Sequence, residues 1–214
     1  MELFNKNQHC FRPGRSCLSQ VLEHQMKILS YLEEGKEDDV VYLDFAKAAF
    51  DKVDYGVLLQ KLKHVGISGF LLKWNNSFLI GRKQRVCVEG VLSSPAPVVS
   101  WVPQGSALYP LLFLVHISDI DDDLQYVKAT SFEDDTRLIM KFENYEFQRK
   151  MQEDPNKIYQ WASQNNMCFN GSKFELMSYG KVYSNRSTYS GPDGGTIGEI
   201  NEVRDLGILM ILKL

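Results

Sequence analysis

Ser131-Phe132-Glu133-Asp134-Asp135-Thr136 is the stretch on which the fold turns. It is flanked by Tyr126-Val127-Lys128-Ala129-Thr130 and Arg137-Leu138-Ile139-Met140. Both flanks are rich in aromatic and β-branched residues and read as strands, while adjacent acidic residues favour a turn, so the carboxylates belong at a hairpin tip. Two carboxylates held side by side repel unless something positive neutralises them. A hard divalent cation with oxygen ligands is the usual solution. Taken alone, an Asp-Asp pair in a turn is most often a solvated surface feature, and the decision rests on the rest of the chain.

A third carboxylate supplies it. Val40-Val41-Tyr42-Leu43 is an unbroken apolar run of strand length that stops at Asp44, which predicts a central strand after a charged turn, Lys36-Glu37-Asp38-Asp39. If this strand and the acidic hairpin neighbour each other in one antiparallel sheet, Asp44 and Asp134 converge. Two divalent ions roughly 3.5–4 Å apart could sit there, the arrangement used for in-line phosphoryl transfer.

The surrounding elements follow from caps and periodicity. Pro13-Gly14 marks a loop, Ser16 caps a helix whose apolar face is Leu18, Val21, Leu22, Leu29 and Leu32, and Gly35 ends it. Phe45 to Asp51 has helical composition, Asp54 caps a helix closed by Gly66, and Ser68 opens another running through Trp74 and Phe78 to Gly81. These two helices are expected to cover one face of the sheet. Lys83 to Val88 and Val91 to Ser93, joined by Glu89-Gly90, form a hairpin, and Arg82, Lys83 and Arg85 make the densest basic patch. Val98 to Val102 is a strand, the loop Pro103-Gln104-Gly105-Ser106 follows, and Pro110 starts a buried helix. Tyr145 to Gln164 is a helix kinked at Pro155, Met167 to Asn170 pairs with Lys173 to Met177, Ser184 to Gly195 is a loop, and Val203 to Leu214 is a last strand. The fold class is α+β.

With 214 residues, 44% hydrophobic and 24% charged, the chain is an ordinary globular sequence. A net charge of -3 gives no overall basic footprint, so contact with nucleic acid has to come from local groups such as Arg12, Arg15, Arg82, Lys83 and Arg85. Cys10, Cys17, Cys87 and Cys168 show neither zinc-site spacing nor a disulfide framework, and are expected to be reduced thiols. The start, Met1 to Lys6, lacks the apolar core of a signal peptide, which makes an intracellular setting the default; no run is long enough to span a membrane.

Taken in order, these pieces are similar to one family. Gln8 through Ser16, Val41-Tyr42-Leu43-Asp44-Phe45-Ala46-Lys47-Ala48 with Phe50-Asp51-Lys52-Val53-Asp54, Val102-Pro103-Gln104-Gly105-Ser106, Phe132 with Asp134-Asp135, Asn170 with Lys173, and Asp205-Leu206-Gly207 resemble the reverse transcriptase of a LINE-type, non-LTR retrotransposon close to the jockey group. The resemblance implies a polymerase palm, an antiparallel sheet covered on one face by helices, with a partial fingers segment at 1–39, the palm at 40–180, and a loop with a C-terminal palm strand at 181–214, without a thumb. It implies that Asp44 and Asp134 bind two magnesium ions, which manganese can replace, with Asp135 supporting and Lys173 near the leaving pyrophosphate. Phe45, Phe50, Gln104 and Gly105 would line the nucleotide pocket. The implied activity is RNA-directed DNA synthesis by nucleotidyl transfer, with an RNA template, a DNA primer and deoxynucleoside triphosphates as partners.

The departures from the family pattern are chemically loaded. A small residue is usual where Glu133 stands, and Gly where Cys10, Trp101 and Tyr109 stand. A second alanine follows Lys47, so the count to the aromatic sugar gate lands on Ala49 with Phe50 one step beyond. Glu133 adds negative charge beside a site that must accept a polyanion. These changes predict a weak polymerase or a catalytically silent remnant that at most binds nucleic acid or a partner.

Overall fold

The computed structural model describes residues 5–46, 53–98, 105–142, 145–180 and 188–212. Strand β1 (Glu37–Leu43) is its axis, and every residue of it is buried. Its side chains alternate as a strand requires: Val41 and Leu43 enter one core, Val40 and Tyr42 the other. β1 pairs antiparallel with β7 (Asp135–Phe142) on one side and β8 (Glu175–Tyr179) on the other. β6 (Lys128–Phe132) lies outside β7, and the two-residue β9 (Gly198–Glu199) runs parallel outside β8, giving the order β6-β7-β1-β8-β9. The acidic hairpin and the strand that ends at Asp44 are therefore direct neighbours.

The helices are started and stopped by the residues that chain chemistry favours. Ser16 caps α1 (Cys17–Glu33) in a reciprocal box with Ser19, and Gly35 follows its end at φ 70°. The Asp54 carboxylate accepts from the Val57 amide to cap α2 (Tyr55–His64), α3 (Gly69–Leu79) follows Ser68, and Pro110 lies in the first turn of α4 (Tyr109–His116). One face of the sheet is covered by α2, α4 and α6 (Glu153–Gln164), through Leu58, Leu62, Phe113, Leu114 and Ile158. Each such buried side chain stabilises the fold by about 2 kcal/mol. The other face carries Val21 and Ile28 of α1, and Val203 and Met210 from a hairpin of β10 (Glu202–Asp205) and β11 (Ile208–Ile211). This is an α+β fold.

Several elements differ from the sequence expectation. Glu37, Asp38 and Asp39 belong to β1 and not to a turn, because pairing with β7 runs on to Glu37 opposite Phe142 and Asp39 finds buried donors in Ser178 (2.8 Å) and Tyr189 (2.9 Å). α1 turns Gln20, Val21, His24 and Ile28 inward, leaving Leu18, Leu22 and Leu29 exposed. The helix expected to kink at Pro155 is two helices, α5 (Tyr145–Met151) and α6. The break at Gln152 puts Pro155 in a first turn, where its missing N–H costs nothing.

Met167 to Asn170 pairs with the chain beyond β1 through a Phe45–Phe169 bridge, and not with β8; a 3-10 turn, Gly171–Lys173, intervenes. The last strand is two strands, reversed at Leu206-Gly207 (φ 47° and 82°). The hairpin at Glu89-Gly90 is longer than expected, with ladders β3 (Cys87–Val88) to β4 (Val91–Leu92) and β2 (Lys83–Gln84) to β5 (Ala96–Pro97). Of the strand expected at Val98 to Val102, only Val98 lies within the described residues. Within the loop expected at Ser184 to Gly195, Tyr189 is buried and anchored to Asp39. All four cysteines are free, and no described helix is long and apolar enough to cross a membrane.

Candidate functional site

The acidic hairpin closes through two residues, Glu133 and Asp134, between the paired Phe132 and Asp135. Glu133 sits at φ 54°, a left-handed conformation that costs a residue with a Cβ about 1–2 kcal/mol and favours small turn residues. Antiparallel pairing of Leu43 with Thr136 directs the next residue, Asp44, towards Asp135. Asp44, Asp134 and Asp135 thus lie at the same end of the sheet.

Their proximity shows in their acidities. Loss of water contact, followed by the charges of Glu133 and Asp44, raises Asp134 above the ordinary carboxylate value. Asp135 is pushed up to about 6, first by crowding of protein around its carboxylate and then by Asp134, Asp205 and Asp44 against the opposing pull of Arg137; the residue keeps one side open to water, which screens part of this. Negative charge in excess of local compensation, carried by hard oxygen donors, suits a divalent cation. Among the described residues, no group of three or more His, Cys, Asp or Glu closes around a common point.

Lys173 is brought to the same place. The backbone on either side of Asp44 is locked by the Ala46 amide on the Cys168 carbonyl and the Asn170 amide on the Asp44 carbonyl, each 2.8 Å. The 3-10 turn that follows carries Lys173, whose Nζ lies 2.5 Å from Asp44 Oδ2. That bond raises the Lys173 pKa. Gly105 is exposed at φ 82°, ahead of α4, whereas Gln104, Phe50 and Ala49 lie outside the described residues. Phe45 corrects an expectation: it is 4% exposed and stacks on Phe169 (centroids 4.3 Å apart), so its ring belongs to the core and only its main chain is left to meet a nucleotide.

Behind the carboxylates, a cleft of about 150 Å³ is lined by Asp44, Asp135, Lys173, Glu175, Arg137 and Asp205 among others. The Arg137 guanidinium, 1% exposed, is 2.6 Å from Asp205 and ties β7 to β10. A larger cleft of about 980 Å³ runs past Asp54, Tyr159, Phe169 and Ser172, but Asp44, Asp134 and Asp135 do not line it. Sequence reading missed Arg137, whose partner Asp205 lies in a separate hairpin. It also missed Gln8, whose buried amide bonds to the acidic turn, and gave no hint that Cys10 and Glu133, two separate departures from the family pattern, touch each other (Sγ to Oε1, 3.3 Å). The Cys10 thiol is pushed up to about 12 by burial and then by Glu133, so it stays protonated and donates.

Residues 1–208 match the family model described as reverse transcriptase (RNA-dependent DNA polymerase). The RNA-directed DNA polymerase from mobile element jockey of Drosophila melanogaster is 34% identical over 149 residues, 65% of this chain and 16% of that protein. The jockey polymerase of Drosophila funebris is 26% identical over 190 residues, 85% of this chain and 20% of that protein. The chain thus spans a minor part of these relatives. Among solved structures, apo telomerase from Candida tropicalis, truncated from its C-terminal domain, superposes with a TM-score of 0.59 at 12% identity, covering 90% of this chain and 40% of that one. Telomerase from the same organism with a fragment of telomeric RNA gives 0.60 at 11% identity, covering 91% and 33%.

Proposed function

Because the chain belongs to the reverse transcriptase (RNA-dependent DNA polymerase) family, with relatives among jockey-type non-LTR elements, we propose that it is the palm of an RNA-directed DNA polymerase and that Asp44 and Asp134 are its metal-binding carboxylates, with Asp135 in support. The observation that carries this reading is the antiparallel pairing of β1 with β7, which sets Asp44 beside the acidic turn. Magnesium held by Asp44 and Asp134, with manganese as a substitute, would neutralise a triphosphate and lower the pKa of a primer hydroxyl. Asp135 adds charge from the first position of β7, and Lys173 is placed to donate a proton or a charge-assisted hydrogen bond to a leaving pyrophosphate. Gly105, with Gln104, is assigned to the nucleotide pocket. An RNA template is the partner suggested by the family and by the RNA-bound telomerase neighbour; primer and deoxynucleotides follow from the reaction.

The rate is expected to be low, since the Glu133 charge raises Asp134 and works against a polyanionic substrate. The same observation favours the second reading, a silent remnant. Primer extension on an RNA template with magnesium or manganese separates them. Slow, template-dependent extension that disappears in Asp134→Asn supports the polymerase reading. No extension by the unaltered chain at any metal concentration supports the remnant, and nuclease activity without nucleotides would overturn both.

A further inference from the structure

The segment ahead of α1 reaches across the molecule to the acidic turn. Gln8 forms a parallel bridge with Ser131, made by the His9 amide on the Ser131 carbonyl and the Ser131 amide on the Asn7 carbonyl, each 3.0 Å. The Gln8 side chain, 3% exposed, then treats Glu133 as another strand would: Nε2 donates to the Glu133 carbonyl and Oε1 accepts from the Glu133 amide, both at 3.2 Å. Oε1 also accepts from the Cys10 amide at 3.1 Å, so the glutamine is fixed at both ends. The Cys10 thiol donates to the Glu133 carboxylate. The segment is itself anchored, by Asn7 Nδ2 on Asp121 (2.7 Å) and Asn5 Nδ2 on the Ser118 carbonyl (3.2 Å).

A two-residue turn with a left-handed Glu133 has little of its own to fix it, and its neighbour Asp134 carries the proposed metal ligand. We propose that Gln8 is a positioning residue for the acidic turn, holding the Glu133 main chain while Cys10 holds its side chain. This rests on the metal-site reading above. Side chains that orient a metal ligand from outside the coordination shell typically change metal affinity by 10–100-fold when removed. The Cys10 and Glu133 departures then form one linked pair, in which the thiol replaces a hydrogen atom and satisfies the added carboxylate.

The test uses the full chain and two readouts. Gln8→Met keeps the volume and removes the polar atoms; Gln8→Glu keeps the acceptor but sets an oxygen against the Glu133 carbonyl, and decides the matter if Gln8→Met fails to fold. Amide hydrogen exchange at Glu133, which needs no metal, is expected to speed up about tenfold or more in Gln8→Met and less in Gln8→Glu. Manganese affinity is expected to fall about tenfold in Gln8→Met, while Val21→Ala, a destabilising control in the far core, leaves it unchanged. Unchanged exchange at Glu133 overturns the brace. Faster exchange with unchanged manganese affinity overturns its role in setting the site. If the unaltered chain binds no manganese, the metal-site reading fails and the exchange result alone decides whether Gln8 holds the turn.

Discussion

At the scale of the residue, Lys173 and Asp44 make the most testable pair. The ammonium 2.5 Å from Asp44 Oδ2 is a cation already seated on a proposed metal ligand, so a divalent ion must displace it. Both side chains are partly exposed, and an exposed ion pair is weak. Lys173→Met is therefore expected to raise manganese affinity by about two- to fivefold, read by calorimetry at low salt. A fall in affinity would show that Lys173 helps assemble the site, and no change would remove Asp44 from the ligand set. Asp44, Asp134 and Asp135 were legible because each marks a local event, a strand stopping or a chain reversing. Gln8 was not, since its partner Glu133 lies 125 residues away and nothing local distinguishes it from a polar loop residue. Arg137 was hidden for the same reason: Asp205, which neutralises it, belongs to a separate hairpin.

At the scale of the element, one carboxylate sets where the acidic hairpin begins. Asp154, in the first turn of α6 and fully buried, accepts on Oδ2 from the amides of Gln125 (2.8 Å), Tyr126 (2.6 Å) and Val127 (2.9 Å), while Lys157 approaches Oδ1 at 2.9 Å. Those three amides belong to the stretch that leads into β6. Asp154→Ala would leave all three without their acceptor, the Val127 amide in a buried position, and is expected to cost about 2–4 kcal/mol, measured by denaturant unfolding. A loss below 1 kcal/mol would mean that water replaces the carboxylate and that α6 does not fix β6. Helix starts were readable at Ser16, Asp54 and Pro110 because a cap is a local contact. The inward face of α1 was not. Its apolar residues occupy more than one side, and periodicity cannot choose between a stripe that contains Leu18, Leu22 and Leu29 and the side on which Gln20 and His24 go inward with Val21 and Ile28. The choice is made by the sheet and by the β10–β11 hairpin, which the helix's own sequence does not encode. Glu37 to Asp39 looked like a turn for a related reason: acidic residues leave strands unless distant donors receive them, and Ser178 and Tyr189 do so for Asp39.

For the whole molecule, the buried ionisable groups set how stability depends on pH. Asp38, fully buried in β1, has no hydrogen-bond partner on either oxygen among the described residues. Burial first, then the charge of Asp39, with Glu34 adding and Lys141 and Lys27 opposing, push its pKa up to about 7. The folded state therefore keeps a proton that the unfolded chain, with an ordinary carboxylate near 3.8, has already lost. Between those values the folded state binds more protons than the unfolded one, and stability falls as pH rises towards and through 7, by at most about 1.4 kcal/mol per pH unit for one group. Histidines act in the opposite sense. His24, lowered to about 3 by burial and Arg137, and His116, lowered to about 4 by burial and Lys61, are neutral when folded but take up protons near 6.5 when unfolded, so stability drops as pH falls below 6.5. Without added metal, these opposing slopes overlap between about pH 4 and 6.5, and the Asp38 contribution is exhausted just above pH 7, where both states have lost the proton. Asp38→Asn removes the downward contribution, so the unfolding free energy should rise more steeply with pH between about 4 and 7 in the variant than in the unaltered chain, as read by urea unfolding across the range. An unchanged profile in Asp38→Asn would move the downward contribution to the acidic end of the sheet, where Asp134 and Asp135 are also raised, and manganese would then alter it.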